Sequence, residues 1–319
     1  MKNTKGFLSL ILCAFCWSLG GVFLKYVNAN SFAIAGIRSF VAFFGLLLLT
    51  RSFPKFTVRV TPPVTQNDFS QKENPHSQEK NCKSKIDVSS TICMWLGGIF
   101  YSLTMILYCL GNKMTTAANT TFLQYTAPIY VILLGPILLN EKNKWSDYLC
   151  VFGVIAGMFL FFADSFFSQK TGNFNKIRLW GNIIAVLSGI TYALCTIFLR
   201  KVKGFKGASQ NSFILAQLIT FIFCIPFILK NGLPDKQSII FLILLGILQM
   251  ALPNALYAYG IKTVSALSAI LITMIEPLMN PVWVAIFANE IPSATCIAGG
   301  IIILFFIVIR EAINTRLSK

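Results

Sequence analysis

Apolar residues run along this chain in blocks of about twenty, separated for the most part by short polar turns. A helix rises 1.5 Å per residue, so about twenty apolar residues cross the hydrocarbon core of a bilayer. Ten blocks reach that length, at about 6–26, 31–50, 91–111, 115–139, 146–166, 180–200, 211–230, 238–261, 264–288 and 293–310. The pattern predicts an all-α integral membrane protein with ten transmembrane helices. One segment, 51–90, breaks the rhythm. It is rich in Ser, Thr, Gln, Asn, Lys and Pro, has little to bury, and reads as a disordered insertion.

Composition agrees with the blocks. Of 319 residues 55% are hydrophobic and 12% charged, and the mean hydropathy is +0.70. Soluble domains carry roughly 25% charged residues, so these side chains cannot cover a water-facing surface. The formal charge of +16 would suggest a nucleic-acid partner in a soluble chain. Here basic loops on the cytoplasmic side account for it, and no nucleic acid is expected. With the N-terminus in the cytoplasm, 19 Lys and Arg fall on that side and 8 on the other, Arg38 being counted with the 8. Both termini are therefore expected inside, in a multi-pass protein of the cell membrane. The first block is longer than a signal h-region and lacks a small-residue cleavage site, so it reads as a spanning helix. Eight of the nine cysteines lie in apolar blocks, and Cys13-x-x-Cys16 sits on an apolar helix, so they read as packing residues. No metal site and no cofactor is expected.

The two halves of the chain repeat. Leu107-Tyr108-Cys109-Leu110-Gly111-Asn112-Lys113 aligns with Leu256-Tyr257-Ala258-Tyr259-Gly260-Ile261-Lys262 at an offset of 149. The same offset carries Pro128 onto Pro277 and Asn140-Glu141 onto Asn289-Glu290. Nearer the start the offset is 175, pairing Trp17 with Tyr192 and Lys25 with Arg200; the long 51–90 segment absorbs the difference. Residues 1–166 and 167–319 then form two five-helix repeats. Five is odd, so the copies are inverted in the membrane, a recurrent design of secondary transporters.

These residues carry a family resemblance. Trp17-Ser18-Leu19-Gly20-Gly21, Gly36-Ile37-Arg38-Ser39-Phe40, a small-residue run followed by Pro and Asn-Glu in each half, and the paired glycines Gly153/Gly157 and Gly299/Gly300 resemble the EamA-type transporters of the drug/metabolite transporter superfamily. The resemblance covers nearly the whole chain outside 51–90. It implies ten helices, cytoplasmic termini, and movement of small metabolites, often outward.

Candidate chemistry is sparse. Ionisable groups at membrane depth are costly and so mark function by default. Glu276, mid-way along 264–288, is about 18 Å from either end of its helix at 1.5 Å per residue. It is the candidate proton-coupling group; a neutral, hydrogen-bonded Glu beside a kink is the alternative. Pro128 and Pro277 each remove a mid-helix hydrogen bond and are candidate hinges, with Pro281 adding a second break. Trp17, Tyr108, Gln124, Tyr192, Asn254 and Tyr257 are candidate substrate-binding residues, each open to the alternative of plain core packing. No catalytic residue stands out, and no Walker A, G-x-S-x-G or H-E-x-x-H motif occurs. The function expected is a secondary transporter, an exporter of amino-acid-like or other small amphipathic metabolites working by alternating access. A membrane-embedded enzyme and a non-transporting sensor stay open as alternatives. A small-molecule substrate and the lipid bilayer are the expected partners, and a homodimer is an open option.

Overall fold

The computed structural model describes residues 2–20, 23, 26–51, 53–60, 85–115, 117–163, 176–288 and 293–316. The first half holds α1 (Lys2–Ser18), α2 (Ser31–Thr50), α3 (Val88–Met114), α4 (Ala117–Gln124), α5 (Ala127–Leu139) and α6 (Trp145–Phe161). The second holds α7 (Lys176–Lys201), α8 (Ala208–Asn231), α9 (Lys236–Leu244), a π-helical stretch (Leu245–Ala251), α10 (Leu252–Gly260), α11 (Ala266–Thr273), α12 (Ile275–Ala288) and α13 (Ala294–Arg316). Seven helices, counting contiguous pieces together, are long and apolar enough to cross a membrane. Three shorter apolar helices, Thr4–Ser18, Trp145–Phe161 and Ala266–Met279, fall below that length. Each of the ten expected blocks contains helix, but not all are full spans.

Short polar side chains start the helices where the sequence supplies them. Asn30 accepts from the Phe32 N–H, Asp87 from Ser90, Asp235 from Ser238 and Ser265 from Ser268. Each supplies an acceptor to an N–H that the helix itself leaves unpaired. Asn140 closes α5 in the left-handed conformation, φ 55°, which Asn tolerates better than most residues.

Packing relates the halves. α3 lies along α7, and α1 along α10; α3 and the π-helical stretch each contact the partner of the α2·α8 pair; α6 packs on α13; α4 and α5 lie on α7 as α11 and α12 lie on α1. Exchanging the halves maps the α2·α8 and α6·α13 contacts onto themselves and each of the others onto another of them. The glycines follow the same rule. A Cβ on Gly6 would meet Gly260 O at 3.4 Å and clash with Thr263; a Cβ on Gly181 would come within 2.8 Å of Met114. Gly6 and Gly181 are 175 apart, and Met114 and Thr263 are 149 apart, the two offsets of the sequence repeat.

The buried core runs along the seam between α1, α5, α7, α10 and α11, while large apolar side chains such as Leu48, Ile137, Phe152 and Leu229 point outward at more than 70% exposure. A soluble monomer does not carry so much exposed apolar surface; lipid tails would cover it.

Three expectations are refined. First, the 6–26 block is interrupted by a turn at Leu19 after α1; Gly20 and Phe23 are helical, the Phe23 N–H bonds Leu19 O, and residues 21, 22, 24 and 25 lie outside the described residues. Second, both ends of the 51–90 insertion are ordered. Arg59–Val60 pairs antiparallel with Lys85–Ile86, Val58 is buried, and Trp95 donates to Phe56 O. Apolar Phe56 and Val58, flanked by polar residues, find a seat at the N-terminal end of the bundle. Residues 61–84, including Ser77, lie outside the described residues. Third, Pro281 makes no second break, because α12 continues through it.

Candidate functional site

Two helix interruptions build the site. The α4/α5 rod turns at Tyr125–Thr126, and Pro128 sits in the first turn of α5, where a missing N–H is tolerated. The α11/α12 rod turns at Met274, with Glu276 and Pro277 in the first turn of α12. Pro277 has no N–H for Thr273 O four residues back. The Tyr125 hydroxyl lies 3.4 Å from that carbonyl and 2.5 Å from Glu276 Oε2. The shorter contact is the strong one, and it joins the break in one half to the carboxyl of the break in the other.

Around this pair lies a cavity of about 60 Å³, lined by Trp17, Gln124, Tyr108, Tyr192 and Glu276 together with Arg38, Tyr101, Met105, Tyr125, Gln249 and Met250. That is room for a few waters. Five of the expected site residues therefore meet on one cavity. Tyr192 reaches the Thr273 hydroxyl at 2.8 Å, Tyr108 the Thr121 hydroxyl at 3.2 Å, and the Trp17 ring packs edge-on to Tyr192. Asn254 and Tyr257 are not on the lining. Asn254 is fully buried and accepts from Tyr101 at 2.8 Å; Tyr257 is buried against Trp17 and bonds the Thr196 hydroxyl at 2.8 Å. Both support the wall from behind.

Arg38, Tyr101, Gln249 and Tyr125 were missing from the expected set. The charge count along the sequence places Arg38 with the outer-side charges; the fold buries it, 4% exposed, on the cavity. A cation seven residues into an apolar block was the signal available in the sequence. Gln249 had no such signal. It faces inward because the backbone runs as a π-helix over Leu245–Ala251, a local change of register that recurs at functional sites. Gly20 leaves the room: a Cβ there would fall 1.8 Å from Gln249 Nε2.

Beyond the cavity, at the end holding the N-terminus, Arg200 donates to Glu141 at 2.9 Å and to the carbonyls of Ile261 and Lys262, both at 2.9 Å. Glu141 also accepts from the Ala266 N–H at the start of α11. One ion pair thus ties α5, α7, α10 and α11 together. In the turn after α10, burial pushes the Lys262 ammonium below its ordinary value. Beside this corner Arg310 bridges Asp147 of α6, at 2.8 Å, and the Ser268 hydroxyl of α11. The sequence repeat would place Lys25 and Glu290 as the counterparts of Arg200 and Glu141; both lie outside the described residues, as does Gly21.

A helical bundle with an apolar outer face, mid-rod interruptions and an internal polar cavity is the build of a multi-pass membrane transporter. The sequence model of the EamA-like transporter family matches residues 4–163 and 179–310, and the chain belongs to that family. A relative from Archaeoglobus fulgidus, described as an uncharacterized transporter, is 26% identical over 206 residues, 65% of this chain and 71% of its own length. An uncharacterized transporter from Helicobacter pylori is 30% identical over 153 residues, 46% of this chain and 48% of its own. A solved crystal structure overlays on 99% of this chain and 100% of its own with a TM-score of 0.74 at 13% identity, a likeness of fold alone.

Proposed function

We propose that the protein is a secondary exporter of small metabolites, built as two inverted five-helix repeats that rock around the central cavity, and driven by protons that bind Glu276. On this reading all ten apolar rods cross the cell membrane and both termini are cytoplasmic. The three shorter helices cross with flanking turns or a thinned bilayer.

The observation that carries the reading is the Tyr125–Glu276 contact, 2.5 Å, between the two interrupted rods and on the wall of the cavity. A carboxyl at that depth is costly as an anion and stable when protonated or hydrogen-bonded. Rocking the halves changes which groups face it, and a group whose proton affinity differs between two states couples proton movement to the conformational change. Support for the inverted arrangement comes from the pairwise exchange of helix contacts and from the repeat offsets. The Glu141–Arg200 pair supports a closed cytoplasmic side, because it ties four helices where a path to that side would run.

The test is reconstitution in liposomes with an imposed pH gradient and a panel of labelled amino acids and amphipathic acids and amines. Glu276→Gln keeps size and hydrogen bonding but cannot carry a proton. It is expected to retain exchange of substrate between the two sides and to lose gradient-driven accumulation. A Gln variant that still concentrates substrate with unchanged pH dependence removes Glu276 as the coupling group.

A further inference from the structure

A guanidinium carries five N–H donors and no acceptor. Arg38 in the cavity wall uses few of them. One nitrogen donates to Gln249 Oε1 at 3.2 Å; another faces only the sulfurs of Met105 and Cys109, at 4.0 and 3.8 Å. Arg38 Nε is buried without a hydrogen-bond partner, and among the described residues no carboxylate lies within salt-bridge reach of the group. A buried charge normally has a partner, since desolvation without compensation is costly. Here the cation borders an internal space, and the carboxyl on the same lining, Glu276, lies beyond salt-bridge distance.

We propose that Arg38 is the docking group for the carboxylate of the transported molecule, and that the substrates are small amphipathic monocarboxylates. The inference rests on the central cavity being the transport site. A planar fork of N–H donors matches a carboxylate in a bidentate pair. Gln249, held by the π-helical stretch and by the space at Gly20, fixes the plane of the fork from one side. The space present holds a few waters, so the body of the molecule enters as the halves part; Trp17, Met105, Met250 and the tyrosine rings then surround an apolar body with one polar end. A phosphate would bring nearly two charges to a lining on which Arg38 is the sole cation among the described residues, and on which Glu276 also sits. A monoanion neutralises Arg38 when Glu276 holds its proton, so the loaded cavity carries no net charge through the membrane.

The experiment needs neither a gradient nor an identified substrate. Thermal unfolding and tryptophan fluorescence of the full chain in detergent at pH 7.5 are followed with millimolar phenylacetate or lactate, and with the matching amides and phenethylamine. The acids are expected to raise the midpoint by a few degrees, and the amides and the amine to leave it unchanged. Arg38→Met is expected to remove the response to acid without lowering the midpoint of the unliganded protein, because a buried cation short of acceptors has been replaced by a side chain that needs none. Arg38→Gln, which preserves a polar contact to Gln249, guards against a folding failure and should also lose the response. The proposal is overturned if the folded wild-type chain responds to no acid, if the amides act as strongly as the acids, or if either variant keeps the response. Binding of acid with no accumulation in liposomes would instead count against the transport reading alone.

Discussion

Among the described residues Glu276 and Arg38 bring the only formal charges to the cavity lining, and each is placed by a neighbour that carries none. Tyr125 is the neighbour of Glu276. Its hydroxyl gives the carboxyl a donor at a depth where water is scarce, and removing one partner of a buried polar pair costs about 1–3 kcal/mol. Tyr125→Phe is therefore expected to lower thermal stability by roughly that amount and to shift the pH dependence of transport, because a protonation equilibrium loses the hydrogen bond that biased it. Unchanged stability and pH profile in reconstituted transport would show that the 2.5 Å contact is incidental. Both charged groups were open to a reading of the sequence, since an ionisable side chain inside an apolar block is conspicuous. Gln249, Tyr101 and Tyr125 were not, because polar and aromatic residues recur throughout the spans and only the turn of each backbone decides which of them face inward.

At the scale of the element, the interrupted rods and the glycine contacts matter most. The prolines at 128 and 277 signalled the interruptions, but the breaks fall two or three residues earlier, so that each proline opens a new helix instead of kinking an old one. The missing N–H then costs little, because the first N–H groups of a helix have no partner within it. The same logic accounts for Pro253 at the start of α10, where the π-helical stretch absorbs the irregularity. Between α6 and α13 the backbones approach closely: a Cβ on Gly299 would sit 2.4 Å from Phe161 N and 2.6 Å from Gly157 O. Backbone cannot swing aside as a side-chain tip can. Gly299→Val is expected to force the helices apart and destabilise the fold by ~1–3 kcal/mol or more, visible as a lower unfolding midpoint and reduced recovery from membranes. A variant as stable as the parent would mean that α6 and α13 can part without consequence.

For the whole molecule, the orientation across the membrane is read at the two ends of α8. Lys206 lies in the exposed turn between α7 and α8, and Lys236 opens α9 at the other end of α8. Ser209, in the first turn of α8, is a poor reporter, since it is buried with its hydroxyl on Leu199 O. In a background without reactive cysteines, Lys206→Cys is expected to react with a membrane-impermeant maleimide only from the cytoplasmic side, and Lys236→Cys only from outside. Reaction of both from one face would end the inverted five-plus-five arrangement. Moving Arg38 into the core also sharpens the charge bias behind this orientation, because one of the 8 outer-side cations no longer belongs to a loop.

The chain alone determined that this is a membrane bundle, where its helical blocks lie and that motifs recur between its halves, because apolar length and local motifs are written residue by residue. It also marked Glu276 and the prolines, since an acid or a missing N–H is conspicuous wherever it sits. Tertiary structure alone decided which residues share the cavity. Arg38, Gln249 and Glu276 come from α2, the π-helical stretch and α12, and their counterparts in the repeat, by the offsets of 175 and 149, are Phe213, Phe100 and Ala127. A repeat implies like environments, yet the polar side chains sit on one copy of each pair only. No periodicity encodes that asymmetry. It arises where helices distant in sequence cross, and contact across the bundle is the quantity a linear pattern does not hold.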